Sequence, residues 1–432
     1  MAEAPGTDPE GPRPAEQRSA LFRLVAVLVA LAAITVVSGT TKVVLVVVGL
    51  LLSIVLHEAG HFVMAKRGGM KATEFFVGFG PRLWSVRKGE TEYGIKALPL
   101  GGYVKIIGMH NLDKIEDPAD EPRTYRQQSF PRRFAVAVAG STTHFIIAFV
   151  LFLVLFAVTG IPESSLRIGE ISKLATGASP AEEAGFRVGD RVISVDGRTF
   201  SEWSELPPYI RSRPEQPLRF VVERDGSQVE LTATPLDLSK VAAPVDDRPT
   251  VSEPTGFVGI GPATQMVRVN PVVAIGRAAK AEVSGLALVG KSLAHVFSPT
   301  GVREYWGVIS GGERAGKVAD PEGGETRFMS PVGFVRVAGQ AADAGLFETL
   351  NLLIMINLFV GVFNLVPLLP FDGGHVMIAV YEAIRSKVTG RRHFLDVAKL
   401  MPVTYPVFLV LAFLAVSSLY IDLVRPLANP FQ

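Results

Sequence analysis

The chain has 432 residues, of which 48% are hydrophobic and 19% are charged. This composition predicts a membrane protein, and the length leaves room for a membrane domain together with at least one soluble domain. The net charge of +2 at pH 7, without a basic stripe interleaved with aromatic residues, argues against a nucleic-acid-binding protein. Because the chain has no cysteine, disulfide bonds and cysteine-ligated zinc sites are excluded.

Five hydrophobic segments follow one another along the chain, and each is long enough to cross about 30 Å of hydrocarbon. In order, they are 21–41, 43–66, 134–162, 347–384 and 400–424. A polar leader, residues 1–20, precedes the first and is expected to be disordered. Because this leader is long, we interpret segment 21–41 as an extra N-terminal span that stays attached; a cleaved signal peptide is the alternative.

Lysine and arginine residues predict the orientation of these spans. Thirteen of them lie between Lys66 and Arg133, and five more lie between Arg385 and Lys399. Cytoplasmic loops carry an excess of these residues, so both stretches are expected in the cytoplasm. The region between the third and fourth spans, 163–347, is then expected outside.

The second hydrophobic segment contains the motif His57-Glu58-Ala59-Gly60-His61. Successive residues of a helix turn by about 100°, so His57 and His61 lie on one face, with Glu58 beside them. Two imidazoles on one face with an adjacent carboxylate match H-E-x-x-H, in which the histidines hold zinc and the glutamate acts as a base. Ionisable groups at membrane depth are costly and usually mark function, which argues against a chance match.

The fourth hydrophobic segment is interrupted by an acid, two prolines and two glycines between Asn364 and His375. Proline kinks a helix, glycine permits unusual backbone shapes, and such a break needs protein or a water-filled cavity around it. Asp372 is therefore expected to point inward. A catalytic zinc site has three protein ligands and leaves one position to water, so Asp372 can complete the set. A helix N-cap after the proline break is the alternative.

These two motifs together resemble the site-2 proteases, the intramembrane zinc metalloproteases of peptidase family M50, in their bacterial, PDZ-containing, regulator-of-sigma-E-protease-like branch. The resemblance runs from about residue 43 to 424 and includes the stretches 78–81, 99–104 and 330–333. It implies a Zn²⁺ cofactor bound by His57, His61 and Asp372, with Glu58 as the catalytic base. It also implies that Asn364 and Pro367 contact the substrate.

One stretch departs from the family pattern. Family members usually carry Gly-Pro-x-x-Asn at the start of the second core span, whereas this chain has Gly140-Ser141-Thr142-Thr143-His144. The change leaves the expected zinc ligands intact but alters the helix around them. We expect His144 to be hydrogen-bonded inside the span; a fourth metal ligand is the alternative.

Residues 75–109 are predicted to form a membrane-associated β-hairpin that turns at Lys88-Gly89-Glu90. Its exposed edge could pair with an extended substrate by β-augmentation; an ordinary hairpin lying on the membrane surface is the alternative.

The outer region 165–262, including a linker at 240–255, resembles a bacterial PDZ domain of the circularly permuted kind. Capture of a new C-terminus, exclusion of substrates with bulky outer domains, and a folded spacer are the three interpretations of this domain.

We expect 270–298 to form an amphipathic helix along the membrane and 299–346 to form a loop.

The expected fold is thus an α-helical polytopic membrane protein with a four-span core, an extra N-terminal span, a membrane-associated β-hairpin and an extracytoplasmic β-rich PDZ domain. By resemblance it lies in the bacterial inner or plasma membrane, with the zinc site near the cytoplasmic side. It would cut single-span proteins, such as anti-sigma factors, remnant signal peptides or division proteins, after an upstream site-1-type protease has made an outer cut.

The alternatives to this function are a non-catalytic PDZ-presenting scaffold and an ion or metal transporter. The intact motif residues argue against the first, and the absence of paired inverted repeats argues against the second.

Overall fold

The computed structural model describes residues 41–109, 113–172, 177–240, 253–310, 328–424 and 429. The leader 1–20, nearly all of segment 21–41 and most of the linker 240–255 lie outside the described residues. The chain divides into two compact units. The membrane unit comprises Met1–Leu155, Ile275–Ala315 and Arg327–Gln432, and the β-rich unit comprises Phe156–Ala274 and Gly316–Thr326.

Helices make up most of the membrane unit, and two short helices lie in the β-rich unit. In chain order, the α-helices of the described residues are α1 (Thr41–Arg67), α2 (Phe130–Val158), α3 (Pro180–Glu183), α4 (Leu206–Arg211), α5 (Pro271–Val296), α6 (Pro299–Ser310), α7 (Pro331–Ala344), α8 (Leu346–Asn364), α9 (Asp372–Thr389) and α10 (Met401–Val424).

Four of the described helices are long and apolar enough to cross a membrane. They are Val43–Arg67, Phe130–Val158, Leu346–Asn364 and Val397–Val424. Their number and composition make the chain a multi-pass membrane protein.

Small residues let the helices of the membrane unit approach one another closely. A Cβ added at Gly60 of α1 would lie 2.5 Å from Oγ1 of Thr143 and 2.9 Å from the carbonyl oxygen of Ala139, both on α2. One added at Gly49 would lie 3.1 Å from Leu353 of α8. Close approach through small residues is a common way for membrane helices to pack, and here it places α1 directly against α2 and α8.

A small antiparallel sheet follows α1 and is formed by β1 (Ala72–Lys88) and β2 (Thr91–Ile106), which meet at Gly89 with a positive φ. The start of β1 pairs on one side with 92–95 and on the other with 102–106, while its end pairs with 91–96. The two long strands therefore fold into four paired segments rather than the simple hairpin that the sequence predicts. The segment 102–106 lies at one edge and is paired on one side only within the described residues.

The prediction that 299–346 is a loop is wrong for two stretches, which form α6 and α7. Each helix begins with a proline at its first position, where the missing N–H costs nothing. Each is preceded by a serine whose hydroxyl accepts a backbone N–H: Ser298 from Gly301 at 3.1 Å and Ser330 from Gly333 at 3.2 Å. Residues 311–327 between them lie outside the described part of the chain.

The strands of the β-rich unit are β3 (Ile161–Ile171), β4 (Arg191–Val195), β5 (Arg198–Thr199), β6 (Leu218–Arg224), β7 (Ser227–Ala233), β8 (Leu236–Asp237), β9 (Gly256–Phe257) and β10 (Ile260–Val267). Six of them form one antiparallel sheet with the order β10-β3-β4-β6-β7, to which β5 adds beside β4, while β8 and β9 form a separate pair. Ile168, Leu206 and Phe220 are fully buried in its core, which gives this unit a hydrophobic centre of its own.

An ion pair between the buried Asp190 and the partly exposed Arg224 stabilises the β-rich unit. The Asp190 carboxylate accepts hydrogen bonds from Nε and Nη2 of Arg224, at 2.8 and 2.7 Å, and from the N–H of Arg187 at 2.8 Å. Burial alone would raise the pKa of Asp190, but these hydrogen bonds and the charge of Arg224 hold that pKa below its ordinary value. Such a carboxyl adds stability above its unfolded pKa of about 3.9 and loses it as the pH falls through the folded pKa.

Asp190→Asn should therefore destabilise the β-rich unit by about 1.5–3 kcal/mol at pH 7, the usual range for hydrogen bonds to a charged group. Hydrogen exchange of the β6 and β7 amides in the intact protein measures this change, and the difference from wild type should shrink below about pH 4. Glu230→Gln, an exposed site on β7, serves as the control. Equal exchange in Asp190→Asn and Glu230→Gln would contradict the prediction.

Candidate metal centre

Three of the predicted site residues converge at one point of the membrane unit. His57 and His61 lie one turn apart on α1, and Asp372 is the first residue of α9. The two Nε2 atoms are 3.2 Å apart, and Oδ2 of Asp372 lies 3.4 Å from Nε2 of His57 and 3.2 Å from Nε2 of His61. Among the described residues, this is the group of His, Asp and Glu side chains whose donor atoms lie close enough together to hold a metal ion.

The spacing of these three atoms fits zinc. Nitrogen and oxygen ligands at 2.0–2.1 Å in a tetrahedron stand about 3.3 Å from one another, which is the separation found here. Both histidines are 8% exposed, and Oδ2 of Asp372 is buried without a hydrogen-bond partner among the described residues. Lone-pair atoms that converge in a buried site without donors are unfavourable unless a cation binds between them.

The main-chain carbonyl of Val136 on α2 fixes the protonation of one ligand. Nδ1 of His61 lies 2.7 Å from this oxygen and must donate to it, since a carbonyl can only accept. The proton on Nδ1 leaves Nε2 of His61 with its lone pair directed at the cluster. A hydrogen bond from the second ring nitrogen is the usual partner arrangement of a metal-binding histidine.

Two glycines allow Asp372 to reach the cluster. Helix α8 ends at Asn364, and residues 365–371 fold back over the beginning of α9. A Cβ at Gly373 would overlap the carbonyl oxygens of Leu365 and Val366, and one at Gly374 would lie 2.8 Å from the backbone nitrogen of Leu369. The glycines after Asp372 therefore let the chain return tightly enough to begin α9 beside α1.

The remaining predicted site residues lie on α1, at the end of α8 and in the connection between α8 and α9. Glu58 follows His57 on α1 and is half-buried against β2, where a Cβ at Gly102 would lie 2.8 Å from Cγ of Glu58. Asn364 is the last residue of α8, and Pro367 lies in the connection to α9. The structure thus brings the three ligand candidates together and places a strand of the small sheet directly against Glu58.

Sequence reasoning missed a buried ion pair that holds α9 in place. Arg133 at the start of α2 donates to Glu382 on α9 at 2.5 Å, and both side chains are nearly buried. The other oxygen of Glu382 accepts the N–H of Leu395 at 2.6 Å. No sequence signal joins the two residues, because Arg133 lies at the start of one hydrophobic helix, Glu382 lies on another helix, and 249 residues separate them.

Gly140 on α2 is also part of the site, although the sequence marks it only as the start of an altered motif. A Cβ at this position would overlap the imidazole rings of both His57 and His61. The two rings therefore lie directly against the backbone of α2, and only glycine leaves them room.

Gly140→Ala should displace these rings and weaken zinc binding by at least about tenfold, the lower end of the range for changes to groups that orient metal ligands. Competition with a zinc chelator, on protein purified in detergent, measures the affinity. Gly276→Ala is the matched control, because a Cβ at Gly276 of α5 would meet nothing within 4 Å. Equal zinc affinity in the two variants would show that the rings tolerate a side chain there.

Comparisons with known proteins show which family the chain is similar to. The model of Peptidase family M50 matches residues 45–403. Zinc metalloprotease Rip1 of Mycolicibacterium smegmatis is 34% identical over 414 residues, which cover 89% of this chain and 98% of the relative. Zinc metalloprotease Rip1 of Mycobacterium tuberculosis strain H37Rv is 36% identical and covers 90% of this chain and 98% of the relative. A putative zinc metalloprotease of Rhizobium meliloti is 29% identical over 356 residues, covering 79% of this chain and 87% of the relative.

Proposed function

Because this chain belongs to peptidase family M50, the site-2 proteases, and is therefore a multi-pass zinc metalloprotease, we propose that His57, His61 and Asp372 hold its zinc and that Glu58 is its catalytic base. The observation that carries this assignment is the buried cluster of two Nε2 atoms and one Oδ2 atom, all 3.2–3.4 Å apart.

The residues around the cluster support hydrolysis of a peptide bond. When bound, zinc supplies Lewis-acid chemistry, polarising a carbonyl and making water more acidic. The carboxylate of Glu58 accepts the proton of the attacking water and passes it to the leaving amide nitrogen. The side-chain amide of Asn364 donates a hydrogen bond to the oxygen of the scissile carbonyl as negative charge develops there. Pro367 shapes the connection that faces the substrate.

The small sheet supports a way of holding the substrate. In a transmembrane helix the backbone groups are hydrogen-bonded within the helix and covered by side chains. The segment of the substrate that is to be cleaved must therefore unwind into an extended conformation first. Among the described residues, the edge segment 102–106 pairs with another strand on one side only, and its Gly102 lies against Glu58. An extended substrate segment that pairs with this edge as an additional strand places its peptide bonds beside Glu58, the proposed base. Residues that favour helix breaking in the substrate lower the cost of this step.

The strand order of the β-rich unit supports the assignment of a permuted PDZ domain. Its last strand, β10, lies at the sheet edge and follows directly on Gly256–Phe257 and Gly259, which has a positive φ. An edge strand preceded by a glycine-containing loop can receive a peptide by strand addition, and the loop N–H groups can bind its terminal carboxylate. We assign this unit to the outer side of the membrane, because lysine and arginine are concentrated between Lys66 and Arg133.

The proposed substrates are single-span membrane proteins, such as anti-sigma factors or remnant signal peptides, that another protease has already shortened outside the membrane. This is regulated intramembrane proteolysis in a bacterial inner or plasma membrane, with the zinc site towards the cytoplasm. A scaffold that only presents its PDZ domain has no need for a complete cluster of metal ligands beside a half-buried glutamate, so the proteolytic function is favoured.

A pair of model substrates tests the requirement for an earlier cut. With enzyme reconstituted in lipid vesicles, a single-span substrate without its folded outer domain should be cut at least about tenfold faster than the intact protein, since a bulky domain obstructs entry. Glu58→Gln enzyme in parallel vesicles reports background cleavage. Equal rates for the two substrates would contradict the proposed dependence on an earlier protease, without bearing on the metal site.

A further inference from the structure

The two histidines of the metal cluster are oriented by different means. Nδ1 of His61 is bonded to the carbonyl of Val136. Nδ1 of His57 is buried without a hydrogen-bond partner among the described residues; the backbone of Gly140 lies close by, but no hydrogen bond of acceptable geometry joins them. The terminal torsion of a histidine side chain has broad minima. Something other than a hydrogen bond must therefore hold the ring plane of His57.

Neighbouring rings enclose the imidazole of His57. The His144 ring lies with its centroid 5.0 Å from that of His57, at an interplanar angle of 45°. The His61 ring meets His57 edge-on at 4.8 Å and 77°. Gly140 and His144 are one turn apart on α2 and so share a face of that helix. The backbone at Gly140 and the ring of His144 consequently bound His57 from the same side.

His144 is itself held rigidly by a neighbouring helix. Its Nδ1 lies 2.8 Å from Oδ1 of Asn357 on α8, and Nδ2 of Asn357 donates to the carbonyl of Leu353 at 2.8 Å. This second bond fixes the orientation of the amide, so Oδ1 is the acceptor and Nδ1 of His144 carries the proton. His144 is 2% exposed and Asn357 is 1% exposed, so both side chains are buried within the membrane unit.

We propose that His144, anchored by Asn357, is a positioning residue that sets the ring plane of His57 for zinc binding. Its ring supports His57 by packing, where no hydrogen bond of normal geometry holds Nδ1 among the described residues. His144 is not among the described residues whose donor atoms lie within metal-binding distance of the cluster, so it acts through packing rather than as a fourth ligand. This chain has a histidine where the family pattern has an asparagine, and the longer ring can reach His57. The inference rests on the zinc site proposed above.

The test is zinc affinity, measured by chelator competition on protein purified in detergent, together with the thermal unfolding temperature of the zinc-free protein. His144→Ala should weaken zinc binding about 10- to 100-fold, the range found when groups that orient metal ligands are removed. Asn357→Ala should cause part of this loss, and the double variant should be no weaker than His144→Ala, because both changes act through one ring. His144→Phe keeps a flat ring without the anchor and should fall between wild type and His144→Ala.

The matched control is Thr142→Ala on the same helix, whose exposed hydroxyl donates to the carbonyl of Val138. A purely structural role for His144 would lower the unfolding temperature of the zinc-free protein and leave zinc affinity within about twofold of wild type. That result, or additive losses in the double variant, would overturn the inference. Wild type that binds no zinc would instead contradict the metal site itself, so the two failures are distinguishable.

Discussion

Glu58→Gln should abolish peptide-bond hydrolysis while the purified protein still retains about one zinc ion per chain. The substitution keeps the size of the side chain that packs against Gly102 but removes its ability to accept a proton. General bases contribute about 10²–10⁴-fold to rate, so cleavage should fall by at least about a hundredfold. Cleavage of a model single-span substrate and elemental analysis of zinc, on the same preparation, give the two numbers.

Glu282→Gln on α5 is the matched control, because it makes the same change at a half-buried glutamate of another helix. It should cleave like wild type. If Glu58→Gln cleaved at a comparable rate, the base would have to be another group. If it lost its zinc as well, Glu58 would be needed for the metal site rather than for proton transfer.

The second large effect is expected at Asp372. Asp372→Ala removes one of three candidate ligands and leaves two imidazoles, whereas catalytic zinc sites use three protein ligands. Loss of a direct ligand should exceed the 10–100-fold effect of losing a group that merely orients one, so zinc affinity should fall by at least about a hundredfold. Chelator competition measures this change, and cleavage should be lost with the metal.

The control for this variant is Asp343→Ala, at an exposed aspartate near the end of α7. It should bind zinc as wild type does. Undiminished zinc binding by Asp372→Ala would mean that Asp372 is only the first residue of α9 and not a metal ligand. The helix N-cap role that the sequence left open for Asp372 belongs to Phe371 in the structure.

Local patterns predicted the parts of the site that depend on local geometry. The four-residue spacing of His57 and His61 sets their common face on any α-helix, and the proline- and glycine-rich run before and after Asp372 indicates a helix break. From the local patterns, Asp372 could be added to the two histidines only because a catalytic zinc site needs a third ligand. Asp372 follows His61 by 311 residues, and helix packing that no local pattern encodes brings the two together.

Two features of the site that the sequence did not predict are contacts between distant segments. Nothing in the sequence indicated the Arg133–Glu382 ion pair, whose partners are 249 positions apart. The expected hydrogen bond of His144 inside the span is confirmed, but its partner, Asn357, lies 213 positions away and was not predicted. The prediction of a loop over 299–346 was wrong for a local reason. The glycine-rich middle of this stretch outweighed the serine–proline signals for a helix start at Ser298 and Ser330. In the small sheet, the sequence did not predict that β1 pairs on both sides. A single hairpin already accounted for the alternating polar and apolar residues of this region.

X-ray absorption at the zinc edge, on wild-type protein purified in detergent, tests the central claim most directly. It counts the imidazole rings around the metal and detects sulfur ligands. Zinc held by His57, His61 and Asp372 predicts two imidazoles, with oxygen in the remaining positions and no sulfur. Three imidazoles per zinc, or folded protein without zinc under conditions that permit loading, would contradict the assignment of the site.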